Sequence, residues 1–409
     1  MDSKIKFNNG RLKVMQISDL QDTKKTTVDT LRFIDSALTK EKPDFIVMTG
    51  DQLDVVGMWG KGEKIAANVR KAITGLFSVF EKHAIPYALT FGNHDGETGM
   101  PVEEQAKIYA ELRNCISFKE LNDGRPDEGT FNVPIFSSDG ESVAMNFFFM
   151  DCHNIKSRAG YEGPNQAQLD WYEETSDKLG RVPSAVFQHV PPTEIYELFE
   201  EVPKGTKKSL PAYGIRTGKF FKLKDGIKHF YSFGETPSVL NADNKEFELM
   251  RERGDVFGIF FGHDHYNGFI GNVRGIDLGY CPGAGYNTYG LKNRAVRIFE
   301  FNENDIKNYN TYIVDYSDCC KKSETAPIRN FFYCHAPSCQ GMAKPFAMKC
   351  VAILLAVILA FVLIGVFISA AFVKMFLVSM TVGLLIYGAV AWIYNTVLRR
   401  KLIGGKKNG

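Results

Sequence analysis

The chain has 409 residues, 44% hydrophobic and 23% charged, which excludes a disordered chain and allows a large buried core and two or three domains. Its 37 Gly and 16 Pro follow no Gly-every-third period, so it is not fibrous. Residues 350–409 hold six basic and no acidic residues; taking those six from 49 leaves 43 basic against 47 acidic, or −4, in residues 1–349. A mildly acidic body removes the electrostatic argument for nucleic acid as a partner.

In chain order, apolar runs of strand length alternate with helical stretches. Lys13–Ser18 predicts a strand and Thr26–Thr39 a helix; Phe45–Thr49 predicts a buried strand and Lys61–His83 an amphipathic helix. Tyr87–Phe91 predicts a third strand, and Pro101–Asn114 a helix with proline at its start. This βαβαβα order implies a parallel sheet with helices on its faces. Further strands fall near Val143–Met150, Ala185–Gln188 and Val256–Phe261, with helices near Gln166–Leu179 and Ser238–Arg253. After Gly262, short strands at Phe269–Val273, Ile276–Tyr280, Ala295–Phe301 and Tyr309–Val314 are separated by Gly/Asn turns and point to antiparallel pairing. Ser317–Lys349 is polar, Cys-rich and weakly patterned, and reads as a linker.

From Cys350 to Leu398 only Lys374 is charged. As one helix this stretch would run roughly 73 Å, against a hydrocarbon core of about 30 Å. Two spans resolve the mismatch, near Val351–Val373 and Met375–Leu398, with a turn around Ser369–Phe376. Lys344 and Lys349 precede the first span; Arg399, Arg400, Lys401, Lys406 and Lys407 follow the second; the turn has one lysine. The positive-inside rule then places body and terminus in the cytosol, with membrane lipid as a partner of the hairpin. The first residues, MDSKIKFNNGRLKV, contain no apolar run of signal-peptide length, and the chain has no Asn-x-Ser/Thr sequon. The expected division is a body over 1–316, a linker over 317–349, two membrane helices over 350–398 and a basic cytosolic tail over 399–409.

The strand ends carry an unusual polar load. The first runs into Asp19-Leu20-Gln21, the second into Gly50-Asp51, the third into Gly92-Asn93-His94-Asp95. A later run ends at His189, and another at Gly262-His263-Asp264-His265. In a parallel sheet the C-terminal ends of strands lie along one edge, where sites form. Carboxylate, imidazole and amide oxygen are donors suited to Mn, Fe or Zn rather than to a thiolate site. Glycines at 50, 92 and 262 let the backbone turn sharply beside such ions. A lone Asp-Gly pair or a lone strand-end histidine is usually structural. Five such elements, each closing an apolar run, are not.

This set resembles the calcineurin-like metallophosphoesterase superfamily, whose pattern is D-x-H, G-D, G-N-H-D, a lone H, then G-H-x-H. Over about residues 12–315 the likeness is nearest the purple-acid-phosphatase-like branch, carried also by TGDQLD, FGNHDGE, FFGHDHYNGF and GYCPGAGYNTYG. The resemblance implies a four-layer α/β/β/α sandwich, ahead of the hairpin read from hydropathy, and a dinuclear site at the sheet edge. It implies that Asp51 bridges two divalent ions, that Asp19, Gln21 and His265 face the first, and that Asn93, His189 and His263 face the second. It also implies that His94 meets substrate and that Asp95 orients its ring. Gln21 stands where histidine is usual; a harder oxygen donor there favours Mn or Mg over Fe. Asp54 stands where purple members have a tyrosine ligand, so a colourless protein is expected.

The activity implied is hydrolysis of phosphate monoesters, by attack of hydroxide held between two ions, on a phosphoprotein or small phosphoester. A phosphodiesterase or lipid-headgroup phosphatase is the alternative, and a non-catalytic metal-binding scaffold the alternative of another class. His153, Tyr161, Tyr266 and Tyr286 are candidates to line the pocket, while Trp171, His83 and His229 read as structural. Cys319, Cys320, Cys334, Cys339 and Cys350 read as reduced thiols, with a small zinc knuckle including His335, or acylation of Cys350, as lesser readings.

Overall fold

A computed structural model of the chain describes residues 4–55, 62–119, 124–157, 159–336, 340–367 and 370–403. Strand β1 (Arg11–Ile17) is followed by α1 (Val28–Glu41), β2 (Phe45–Thr49), α2 (Glu63–His83), β3 (Tyr87–Thr90) and α3 (Val102–Ala110). Next come β4 (Phe131–Phe136), β5 (Val143–Met150), the short β6 (Lys156–Ser157) and β7 (Gly160–Tyr161), α4 (Gln166–Lys178) and β8 (Ser184–Gln188). Strands β9 (Phe199–Val202), β10 (Leu210–Pro211), β11 (Phe220–Leu223) and β12 (His229–Ser232) precede α5 (Glu246–Arg253). Then follow β13 (Val256–Phe261), β14 (Gly268–Val273), β15 (Ile276–Tyr280), β16 (Ala295–Asn302) and β17 (Asn310–Asp315). Helices α6 (Tyr316–Cys319), α7 (Pro327–Cys334), α8 (Gln340–Phe367) and α9 (Ala370–Ile403) close the chain.

Two sheets form the frame, in the orders β17-β16-β1-β2-β3 and β12-β14-β15-β13-β8-β5-β4. The period of two along each strand sorts its side chains between two cores. Val14, Phe45 and Val47 of the first sheet meet Phe147, Phe149, Phe187 and Phe260 of the second. Their neighbours Met15, Ile46 and Met48 face outward against Leu31 and Ile34 of α1 and Leu76 and Phe77 of α2. Phe148, Met150 and Ile259 face outward against Leu169 and Tyr172 of α4 and Met250 of α5. The central strands of both sheets are buried on both faces, which is why they read as unbroken apolar runs. Burying one such phenylalanine or leucine contributes about 1.5–3 kcal/mol. The α/β/β/α order is the one that the motifs imply.

Two local expectations change, and a third holds with an addition. The helix expected over Ser238–Arg253 begins only at Glu246, because Asn244 Oδ1 accepts the Glu246 N–H (3.0 Å) and closes a turn ahead of it. The helix expected to reach Asn114 ends at Ala110. There the Glu81 carboxylate takes the N–H groups of Arg113 and Asn114, and Tyr87 N–H donates to Asn114 O, so the chain joins the sheet edge. After Gly262 the pairs β14–β15 and β16–β17 are antiparallel, but β13 pairs with β15 in parallel.

Residues 317–336 do not hang free. Thr325 N–H donates to the Asp29 carboxylate, and Arg32 Nη1 donates to Ser323 O. Helices α8 and α9 are exposed along their apolar lengths. Ala371–Ile403 is long and apolar enough to cross a membrane; Cys350–Gly365 is a shorter apolar helix. Most of the turn expected at Ser369–Phe376 is helical: α9 starts at Ala370 and includes Lys374. The far end of α9 returns to the body, where Arg399 Nε donates to Thr26 O (2.7 Å) and Thr325 Oγ1 to Asn395 Oδ1 (2.6 Å).

Candidate metal centre

The parallel strands β1, β2 and β3 of one sheet and β8 and β13 of the other end at the same edge. Cross-sheet bonds lock those ends together. His189 Nδ1 donates to Thr49 O (2.7 Å), His263 N–H donates to Asp19 Oδ2 (3.0 Å), and Ala284 N–H donates to Ser18 O (2.9 Å). Space here is too tight for side chains at the glycines. A Cβ on Gly50 would lie 2.7 Å from His189 Nδ1, one on Gly262 would strike Ser18 Oγ, and one on Gly92 would strike Asp51 Oδ1. Asp19, Gln21, Asp51 and His263 all have positive φ, between 38° and 70°. Such backbone costs on the order of 1–3 kcal/mol each and clusters at functional sites.

Two donor groups result. Asp51, His189 and His263 bring ligand atoms within 4.8 Å of one another, and so do Asp19, Asp51 and His265. Asp51 is common to both. His189 Nε2 lies 3.2 Å from Asp51 Oδ2 and 3.1 Å from His263 Nδ1. His265 Nδ1 donates to Tyr289 O (2.8 Å), which turns Nε2 and its lone pair toward Asp19 Oδ1, 3.1 Å away. The His265 ring is stacked on Tyr289 with centroids 4.1 Å apart. Lone pairs facing lone pairs at this range require a proton or a cation between them. Asp19 Oδ1 and Asn93 Oδ1 are buried without a hydrogen-bond partner, which fits the same need. The residues present therefore suit two cations bound by oxygen and nitrogen.

The electrostatics of the chain by itself agree. Burial opposes charge on Asp51, yet His189 and His94 hold its pKa far below the ordinary carboxylate range. Burial likewise opposes charge on His189, but Asp51 and Asp19 raise its pKa to about 10. Burial and the neighbouring His189 hold His263 well below the usual range. The cluster attracts positive charge and has room for only some of it as protons.

Two expected roles differ. The Asp95 carboxylate does not touch the His94 ring. It accepts N–H groups from Gly92 (2.9 Å) and Leu53 (3.0 Å), tying the second and third motif loops together. The ring is held instead by Glu97, through Nδ1 to Oε2 at 2.7 Å, in a single 3-10 turn. Nε2 stays 4.0 Å from Asp51 Oδ2. Glu97 was legible only as an i+3 carboxylate after His94. Gln21 does reach the site, but it enters as a donor, with Nε2 on Asp51 Oδ2 at 2.9 Å, rather than offering its carbonyl.

A cavity of about 670 Å³ opens in front of these groups. Of the four loop candidates, Tyr161 lines it, its ring edge-on to His263 at 5.1 Å. His153 is tied to Gln168, Tyr266 donates to Tyr333 O, and Tyr286 is buried beside Arg294. Tyr196 and Tyr213 line the cavity without a motif to announce them, and Tyr289, within the stretch GYCPGAGYNTYG, lines it too. Trp171 packs edge-on against Phe148. Among the described cysteines none belongs to a group able to hold a metal, and Cys339 lies outside the described residues.

The profile of calcineurin-like phosphoesterases matches residues 12–267. The chain belongs to the calcineurin-like phosphoesterase family. It is similar to an Arabidopsis thaliana protein named probable inactive purple acid phosphatase 14, at 28% identity over 72% of this chain and 77% of the relative. It is also similar to phosphatase DCR2 of Saccharomyces cerevisiae, at 24% identity over 73% of this chain and 53% of that one. A crystal structure of a dimetal phosphatase from Danio rerio covers 75% of this chain and 99% of its own, at 12% identity and a TM-score of 0.44. For a calcineurin-like phosphoesterase, the sheet-edge cluster built around Asp51 is the candidate active centre.

Proposed function

We propose that this calcineurin-like phosphoesterase hydrolyses phosphate monoesters, of a phosphoprotein or a small molecule, while anchored to a membrane. The observation that carries the reading is Asp51, one carboxylate shared by two donor groups with unpartnered oxygens beside them. Asp19, Asp51 and His265 would hold one divalent ion; Asp51, Asn93, His189 and His263 would hold the other. Manganese, iron or zinc suits a donor set of carboxylate, imidazole and amide oxygen without thiolate. When bound, two such ions offset phosphoryl charge and acidify water. Asp51 keeps the two donor groups in register, with its Oδ1 fixed by His94 N–H (2.9 Å). Glu97 orients the imidazole of His94, which is 39% exposed toward the cavity, and His94 Nε2–H protonates the leaving oxygen. Two spans within 350–398, a body over 1–316 in the cytosol and a basic tail complete this reading; the apolar length of α9 and the lysines and arginines at its end support it.

The scaffold reading is favoured by one observation, the Gln21 amide on Asp51, and by relatives whose names include "inactive". Elemental analysis with turnover of p-nitrophenyl phosphate and its bis-ester, with and without Mn²⁺, separates the readings. Two ions per chain, Mn-dependent monoester turnover and loss of both in Asp51→Asn are expected. Faster bis-ester turnover would give the phosphodiesterase, and two ions with neither turnover the scaffold.

A further inference from the structure

The cavity is far larger than one phosphoryl group needs. Beyond the metal donors its wall comes mainly from the β6–β7 hairpin, the segment between β8 and β12, and residues 235–239 that follow β12. Two cations on these elements line it, Lys156 and Arg216. Among the described residues neither forms an ion pair. Lys156 Nζ rests 4.5 Å over the ring of Tyr161 and 3.3 Å from its hydroxyl. Tyr161 in turn meets His263, so one ring separates this ammonium from a metal donor. Arg216 Cζ lies over the Tyr196 ring, 3.9 Å from its centroid, with Nη2 on Thr193 Oγ1. Neighbouring cations of the segment between β8 and β12 behave differently: Lys219 pairs with Glu201 and Lys222 with Glu200.

The acids of the cavity are already engaged. Glu97 holds His94; Glu235 accepts from Tyr266 N–H and Tyr289 OH; Asp264 accepts from Tyr280 OH and Ser238 N–H. Burial keeps the Lys156 pKa below its ordinary range, as expected of an ammonium partly desolvated without a close counter-charge. Aromatic rings that pre-order two unneutralised cations build a receptor for an anion.

We infer that Lys156 and Arg216 form a second anion subsite, so that the preferred substrate is a phosphomonoester carrying another anionic group on its leaving side, such as a sugar bisphosphate. The inference rests on the phosphomonoesterase reading for its reaction, but not for its binding. Both are separable with the full-length, Mn-loaded protein. The ratio of kcat/KM for glucose 1,6-bisphosphate over glucose 6-phosphate is measured in wild type, Lys156→Gln, Lys156→Arg and Arg216→Gln. In parallel, calorimetry compares 1,4-butanediphosphonate with butylphosphonate. We expect the wild type to favour the doubly charged compound about tenfold or more, the factor one charge-assisted hydrogen bond supplies. That preference should collapse in K156Q and R216Q and survive in K156R. Equal treatment of the paired compounds, or a preference that both glutamine variants retain, would overturn the subsite. If no ester is turned over, the phosphonate titrations decide the subsite by the same criteria and the catalytic reading alone falls.

Discussion

Gly92→Ala tests whether the Asp51 carboxylate is held where the centre needs it. Gly92 is not among the glycines with positive φ, so alanine adds no backbone strain there. Its Cβ would fall 2.5 Å from Asp51 N and strike Asp51 Oδ1, whereas real Cβ contacts stay beyond 3.0 Å. Both struck atoms belong to a buried turn, so relief must come from moving one motif loop off the other. That movement lengthens two bonds to charged acceptors, His94 N–H to Asp51 Oδ1 (2.9 Å) and Leu53 N–H to Asp95 Oδ1 (3.0 Å). Overpacking costs about 1–3 kcal/mol, and a hydrogen bond to a charged group about 1.5–3. A loss of about 3–5 kcal/mol lowers the Tm by on the order of 10 °C for a body of this size. Gly180→Ala is the control: its φ is +74° and nothing lies within 4 Å, so only about 1–2 kcal/mol of left-handed strain applies. Calorimetry and elemental analysis read both variants. The control should melt a few degrees low with full metal; G92A should melt much lower and lose metal. G92A that melts within about 2 °C of wild type with two ions bound would refute the argument.

Stripping metal with a chelator should lower the Tm by several degrees and manganese should restore it, because Asp19 Oδ1 and Asn93 Oδ1 are otherwise buried unpaired; an unchanged Tm would speak against bound ions. His94→Ala should cut kcat by roughly 10²–10⁴ with metal content unchanged, and Glu97→Gln should cost less, about tenfold, by loosening the same ring. Glu246 is buried and its pKa is pushed up to about 8, burial outweighing the hydrogen bond from Gln188. Because the folded value exceeds the unfolded one, its contribution to stability is full below about pH 4.5 and lost as pH rises through 8. Glu246→Gln should therefore melt above wild type at pH 9 and lose that advantage near pH 5; parallel Tm curves would show that burial does not control this group.

Much of this protein is written locally. Apolar runs ending in Asp19, Asp51, Asn93, His189, His263 and His265 place these six candidate donors, because the end of a parallel strand leaves a side chain at a sheet edge whatever lies beyond it. The long apolar C-terminal helices follow from composition alone. Tertiary structure decided the partners of those donors. Glu97 replaces Asp95 as the holder of His94, because a single tight turn brings the i+3 carboxylate to the ring while backbone N–H groups of its own loop and of the Asp51 loop claim the nearer one. The carbonyls of Thr49 and Tyr289, which orient His189 and His265, carry no side-chain signal at all. Lys156 and Arg216 lie 60 positions apart on elements too short for any periodicity, and only the folded cavity brings them together. Pattern records which face of an element is dry; it does not record which distant polar atom will complete a hydrogen bond, since that is settled by the packing of the whole chain.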